Sequence, residues 1–412
     1  MARKSGCSTN TTPPSAADAV AGNDDLLTEI LARLPAKPLT QFKSVSKHWL
    51  SLISQAQFPL LHARRRRRKP ASALFLCTPN ADPYPEFSFV PFDGCHLQGP
   101  HFRSLGHPGT TILDSCNGLF CYSKLDETTG DSILRYYVCN PTIKRFTRIP
   151  LLGVVYDCTM PNGDSRVHHK LCNYKIDKST RPWSELNITL VGVYVAFDPL
   201  VSPHYSVVCV WEWNTAAFNY KVRIAVFRSE VGLWGELMGP FTVPDEVLFE
   251  NGVFWNGGVH WISNRELICF DVEGGGLRNV PLPLSCGEEK VACFGESRGH
   301  LQVVVNDKAD DDLFHVFEMK KDFSGWVSVF CCDLNRGIFL LSETSSYYIS
   351  SAFSLVFLGR GESEDESFFV VEVSGKLFFY DIKNQTAKEL CNLPHSLSYY
   401  KAFPYDETLF EV

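Results

Sequence analysis

Hydrophobic periodicity changes once along this 412-residue chain, near residue 71. Beyond that point the apolar residues fall in short β-branched and aromatic runs, the mark of strands. ASALFLC, EFSFVPF, GLFCYS, LRYYVCN, VYVAFD, YSVVCVWEW, KVRIAVFR, GVHWIS, ELICFDV, LQVVVND, LFHVFEM, FSLVFL, FFVVEV and KLFFYDI follow one another with turn residues between them. Such a pattern predicts an antiparallel sandwich or a propeller over residues 71–412.

Internal repetition favours the propeller. A strand ending in Asn or Asp, a polar turn and a strand ending in proline recur as RYYVCNPTIKRFTRIP (135–150), LICFDVEGGGLRNVPLP (267–283) and LFFYDIKNQTAKELCNLP (377–394). A glycine opens an apolar strand at Gly118, Gly258, Gly299 and Gly375, and a small residue precedes tryptophan near Trp234 and at Trp326. Radial blades of four strands explain these recurrences and hide most strand edges. At about 40–50 residues per blade the span holds about six or seven.

Residues 24–53, DDLLTEILARLPAKPLTQFKSVSKHWLSLI, are the strongly helical exception. Leu26, Leu27, Ile30, Leu31 and Leu34 lie at helical spacing, and Asp24 and Asp25 suit a helix N-terminus. Pro35 ends this helix, lacking the N–H that a helix interior needs. A second helical run is expected through Leu39, Phe42, Val45, Trp49, Leu52 and Ile53, with Pro38 near its start. Two helices this short are marginal alone, and they carry more apolar surface than they can bury on each other. The excess belongs against another element or another protein.

The order DDLL-x-EIL-x-RLP-x-K-x-L-x-x-F-K-x-VSK-x-W-x-x-LIS resembles the F-box of plant F-box proteins, over about residues 22–62. The resemblance implies docking on the Skp-type adaptor of a Skp–cullin–F-box (SCF) ubiquitin ligase, and through it on the cullin and RING subunits. Matched position by position, Leu26, Leu27, Ile30, Leu34, Pro35, Leu39, Val45 and Trp49 supply the adaptor-facing or helix-packing set. Where the family usually opens with an apolar residue and proline, this chain has Gly22 and Asn23, of which Asn23 can cap the helix. DSCNGLFCYS, YYVCNPTIKRFTRIP, VAFDP, NGGVHWIS and KLFFYDIKNQTAKEL resemble the F-box-associated domain. That implies a propeller-like, target-binding domain. The expected organisation is a disordered tail (1–22), the F-box with a basic extension (23–69) and the β-domain (71–412).

Arg64, Arg65, Arg66, Arg67, Arg68 and Lys69 form a local basic run in a chain of net charge −7. It reads equally as a nuclear-import signal or as a solvated last helical turn. No interleaved aromatics accompany it, so nucleic acid is not an expected partner. No apolar run is long enough for a membrane span, and fifteen scattered cysteines without a C-x-x-C pair read as reduced thiols of the nucleus or cytoplasm.

Catalytic patterns are weak. Gly295-Glu296-Ser297-Arg298-Gly299 fits G-x-S-x-G, but a strand follows it where a nucleophile elbow needs a helix. His168, His169 and Cys172 lack a fourth metal ligand nearby and lie in a polar insert expected between strands (160–187). Asp310–Asp312 and Glu362–Glu366 read as solvated turns. Trp211 and Trp213 share a strand face, in the core or on a binding surface. No catalytic residue, metal or cofactor is expected, and the target-binding residues stay unassigned. The expected role is target recognition for the ligase; a scaffold outside a ligase, or a ligand- or glycan-binding propeller, are the alternatives.

Overall fold

The computed structural model describes residues 20–66, 71–77, 87–93, 110–126, 133–150, 153–159, 165–171, 187–214, 221–244, 246–284, 290–307, 310–334, 353–361, 363, 366–393 and 401–412. The chain divides into two compact units, the first ending at Arg66 and the second starting at Arg67. Of the sequence expectations, the tail up to residue 19, Arg67, Arg68, Lys69, residues 160–164 and 172–186 of the insert with Cys172, Glu362, Glu364, Asp365 and the side chains of His168, His169 and Trp213 lie outside the described residues.

The first unit has helices α1 (Asp24–Leu31), α2 (Ala36–Phe42), α3 (Lys47–Ile53) and α4 (Phe58–Arg66). The second apolar run is therefore two helices, not one. Ser46 divides it: its extended backbone leaves the helix, and its Oγ accepts the Trp49 N–H at 3.1 Å as an N-cap. Pro38 sits in the first turn of α2, where no N–H is required.

The second unit is a propeller-like array of six blades. The first blade takes β1 (Ala73–Cys77) and β2 (Phe87–Pro91); the second is β3 (Thr110–Cys116), β4 (Leu119–Asp126), β5 (Ile133–Asn140) and β6 (Arg145–Arg148). A separate hairpin, β7 (Gly153–Thr159) and β8 (Ser165–Leu171), precedes the third blade. The expected polar insert thus contains a strand, β8, which carries His168 and His169. The third blade is β9 (Asn187–Ala196), β10 (Ser206–Asn214) and β11 (Lys221–Arg228), with β12 (Leu233–Trp234) and β13 (Met238–Thr242) both paired to β11. The fourth is β14 (Val253–Trp255), β15 (Gly258–Ile262), β16 (Glu266–Asp271) and β17 (Leu277–Pro281). The fifth is β18 (Lys290–Ser297), β19 (His300–Asp307), β20 (Asp310–Met319) and β21 (Trp326–Asp333). The sixth is β22 (Phe353–Arg360), β23 (Ser367–Val373), β24 (Lys376–Asp381) and β25 (Thr386–Asn392). Finally β26 (Lys401–Tyr405) returns to pair with β1, so both ends of the domain build the first blade. The acidic run Asp310–Asp312 opens β20 instead of lying in a turn, because Asp310 already pairs with Asp307 across the hairpin.

Each recurring sequence element has a structural cause. At Asn117-Gly118, Arg298-Gly299 and Ser374-Gly375 both residues have positive φ, the two-residue hairpin turn whose twist matches the strands. The strand-ending Asn140, Asp271 and Asp381 each turn a carbonyl-type oxygen onto the following turn: Oδ1 accepts Thr142 N–H at 2.9 Å, Gly274 N–H at 3.0 Å and Asn384 N–H at 2.9 Å. Tryptophan and proline meet between blades. Trp234 Nε1 donates to the Pro150 carbonyl at 2.8 Å and Trp326 Nε1 to the Pro281 carbonyl at 2.9 Å, each time reaching the end of the preceding blade.

Apolar side chains fill the spaces between blades. Phe75, Ile112, Phe120 and Phe403 join the first blade to the second, and Val208, Ile224, Trp261 and Phe270 join the third to the fourth. Leu267, Leu301 and Met319 join the fourth to the fifth; Val304, Val316, Leu358 and Phe369 join the fifth to the sixth. Leu74, Leu76, Phe368 and Val370 close the ring from the sixth blade to the first. Blade-on-blade burial of this kind leaves no separable sub-core, so the ring is expected to unfold as one unit.

Candidate functional site

The helical unit offers the clearest surface. Asn23 Oδ1 accepts the Leu26 N–H at 3.1 Å and starts α1. Two apolar pairs at i, i+4 then share the helix. Leu27 and Leu31 are 4% and 0% exposed and face the other helices, whereas Leu26 and Ile30 are 50% and 47% exposed. Leu39, Leu52, Ile53 and Phe58 complete the small core.

Polar contacts fix the helices in place. His48 Nε2 meets Asp24 Oδ1 at 2.8 Å, joining the starts of α3 and α1. Arg65 donates twice to Glu29, at 2.8 and 2.6 Å, joining α4 to α1. The buried His62 donates from Nε2 to the Leu34 carbonyl at 2.9 Å. Trp49 is half-buried and packs edge-on to Phe42, ring centres 5.5 Å apart.

The sequence-derived set is thereby divided. Leu26, Ile30, Val45 and Pro35 are exposed, Leu34 and Trp49 are half-buried, and Leu27 and Leu39 lie in the core. Leu50, absent from that set, is 45% exposed in α3. Its helical position next to Trp49 was the available signal. Each of these uncovered leucine, isoleucine and valine side chains is worth about 1 kcal/mol if a partner buries its exposed half.

In the β-domain the inner strands end together. Asn117 Nδ2 donates to the Phe197 carbonyl at 2.7 Å, Trp255 Nε1 to the Gly299 carbonyl at 2.8 Å, and the Arg360 N–H to Ser297 Oγ at 3.0 Å. This brings Asp114, Asp198, Glu296 and Asp406 toward one end. Burial raises the Asp114 carboxyl well above its usual range, against the Val195 N–H that it accepts at 2.7 Å. Burial also pushes Glu296 up to about 7, with Asp406 and Asp198 adding to the effect. This convergence is hidden in the sequence, because each acid lies near the end of a different strand.

Residues 406–410 cross the turns of the second blade. Asn140 Nδ2 donates to the carbonyls of Thr408 and Phe410 at 2.9 and 2.7 Å, and Phe410 packs against Phe197. A Cβ on Gly118 would stand 2.5 Å from the Asp406 carbonyl oxygen, so only glycine fits beneath the segment.

The remaining candidates resolve plainly. Ser297 ends β18 and its Oγ accepts a backbone N–H across to the sixth blade; Arg298 and Gly299 make the hairpin turn, not a nucleophile elbow. Trp211 is 4% exposed and belongs to the core. Among the described residues no group of three or more His, Cys, Asp or Glu could hold a metal ion, and no helix is long and apolar enough to cross a membrane.

Residues 23–60 match the F-box domain model. F-box protein At5g07610 of Arabidopsis thaliana is 28% identical over 405 residues, 92% of this chain and 87% of that protein. F-box protein At5g49610 of the same plant is 26% identical, covering 84% of this chain and 91% of the relative. F-box/kelch-repeat protein At1g12870, also of Arabidopsis thaliana, is 30% identical over 401 residues, 90% of this chain and 83% of the relative. With a helical unit that matches the F-box and a relative aligned across nearly its whole length, the chain belongs to the F-box protein family.

Proposed function

We propose that the protein is the target-recognition subunit of an SCF-type ubiquitin ligase. Its F-box docks on a Skp-type adaptor through Leu26, Ile30, Val45 and Leu50, with Trp49 and Leu34 propping the face and Leu27 and Leu39 holding the helices beneath it. The adaptor links the chain to cullin and RING subunits. The β-domain, read as an F-box-associated domain, holds a target protein. Ubiquitin transfer to a target lysine is then promoted by proximity: two partners held on one scaffold react at high effective concentration. No residue of this chain forms a bond in that scheme. The setting is the nucleus, the cytoplasm or both.

The observation that carries the reading is the exposed apolar pair Leu26 and Ile30 on a helix that buries Leu27 and Leu31. The test is affinity purification of the full chain beside a Leu26→Glu/Ile30→Glu variant. Adaptor and cullin should accompany the wild type only, and proteins kept by both versions are target candidates. Recovery of the adaptor without cullin would move the protein to a scaffold role; no adaptor with either version would refute the docking.

A further inference from the structure

The outermost strands of a propeller expose unpaired backbone, and proteins blunt such edges with short strands, charges or proline. Five of the six blades here follow that rule. β6 has Arg145 and Arg148, and β17 has Arg278 and Pro281. β25 has Lys388 and Glu389, β2 ends in Pro91, and the third blade ends in the two-residue β12 and in β13 with its Pro240. The fifth blade differs. β21, Trp326–Asp333, is eight residues long and has neither a charge nor a proline before Asp333. Among the described residues it pairs only with β20. Val327 and Val329 are 45% and 41% exposed, and Cys331 is exposed too. One protective feature remains: the register shift opposite Val316 and Phe317 makes Val329 a bulge, which leaves straight segments on either side.

We infer that β21 is a self-association edge, on which the fifth blade of a second copy of this chain adds in antiparallel fashion. The charge pattern selects this occupant. A strand paired with its own copy about a two-fold axis meets the same side chains it presents. Between Trp326 and Cys332 there is no charge, so no register there sets like charges opposite each other. Exposed valines would instead meet apolar partners across the new ladder. On the other blades arginines, a Lys–Glu pair, prolines or too little strand stand against the same operation. Two-fold pairing also carries two helical units in one particle, so a partner displaying two binding sites would be held bivalently.

Sedimentation velocity of the full chain over a range of concentrations tests this, using wild type, Val327→Lys/Val329→Lys and, as a control, Leu26→Glu/Ile30→Glu. Thermal melting confirms that each variant folds, as all four side chains are already about half exposed. The expected result is a monomer–dimer equilibrium in the wild type and the F-box variant, weakened at least about tenfold by the lysines. A wild type that stays monomeric at every concentration overturns the inference. So does a dimer that survives the lysine pair, or one that is lost in the F-box variant instead.

Discussion

Asn140→Asp separates two tasks that one side chain performs. Asn140 is fully buried. Its Oδ1 accepts the Thr142 N–H at 2.9 Å, and aspartate does the same job at the matching positions Asp271 and Asp381. Its Nδ2 donates to the Thr408 and Phe410 carbonyls at 2.9 and 2.7 Å, which aspartate cannot do. The substitution keeps the turn, removes two hydrogen bonds and points a carboxylate at two carbonyl oxygens. Each buried acceptor left unpaired costs about 1–3 kcal/mol, giving about 2–6 kcal/mol for the two. The new carboxyl would titrate high, because burial and the facing carbonyls disfavour its charge. Once protonated it regains one donor, so the deficit should be smaller at pH 5 than at pH 8. Urea unfolding of the β-domain at both pH values measures this, and carboxypeptidase release of the last residues reports whether the segment has come loose. Asp271→Asn and Asp381→Asn are the controls, expected to cost under about 1 kcal/mol: the turn N–H groups keep Oδ1, and the further bond from Asn384 Nδ2 to Asp381 Oδ2 is exposed. If Asn140→Asp at pH 8 stays within about 1 kcal/mol of wild type, or the controls cost as much, the two Nδ2 bonds that dock residues 406–410 do not stabilise the domain.

Further outcomes follow from the same structure. His260 is fully buried and its pKa is lowered to about 4 by burial, so it stabilises the fold fully above pH 6.5 and loses about 3 kcal/mol as pH falls from 6.5 to 4. Glu296, raised to about 7, works in the opposite sense: its contribution is complete below pH 4.5 and fades as pH rises toward 7. The two slopes oppose each other between pH 4.5 and 6.5, and Glu296→Gln should unmask a rise in the urea midpoint across that window; identical pH profiles for variant and wild type would count against it. Trp234→Phe and Trp326→Phe each remove an indole bond to a prolyl carbonyl of the preceding blade and should cost about 0.5–1.5 kcal/mol apiece by thermal or urea unfolding. Trp49→Ala leaves a gap beside Phe42 and should loosen the helical unit by about 2–4 kcal/mol, visible as early loss of helical circular dichroism.

Much of this architecture can be read from residue order, and what cannot has a physical reason. Apolar spacing places α1, yet Leu26 and Leu27 look alike in sequence; only packing decides that one is covered and its neighbour is not. The Gly-opened strands and the Asn- or Asp-ended strands are local turn chemistry, so they are legible. The tryptophan-to-proline bonds join residues 84 and 45 positions apart, so the two motifs are visible separately and their union is not. Blade number hides for a similar reason: β26 completes a blade begun at β1, and no local period signals that closure. The break at Ser46 was readable as Ser before a helical run, but the apolar spacing continues across it. Strand β8 escaped because SRVHHKL lacks the apolar alternation of a half-buried strand. Asp198, Glu296 and Asp406 are remote in sequence, and only the shared direction of the inner strands assembles them.

In the proposed role the exposed apolar side chains of the helical unit bind a Skp-type adaptor. Isothermal titration of a purified Skp-type adaptor into the full chain measures that binding, with wild type compared against Leu26→Glu/Ile30→Glu. Both side chains are about half exposed, so folding should be unchanged while two apolar contacts are replaced by buried charges. Binding by the wild type is expected, with at least about a hundredfold loss in the variant, equivalent to about 3 kcal/mol. Equal affinity for both proteins, or no binding by a folded wild type, would contradict it.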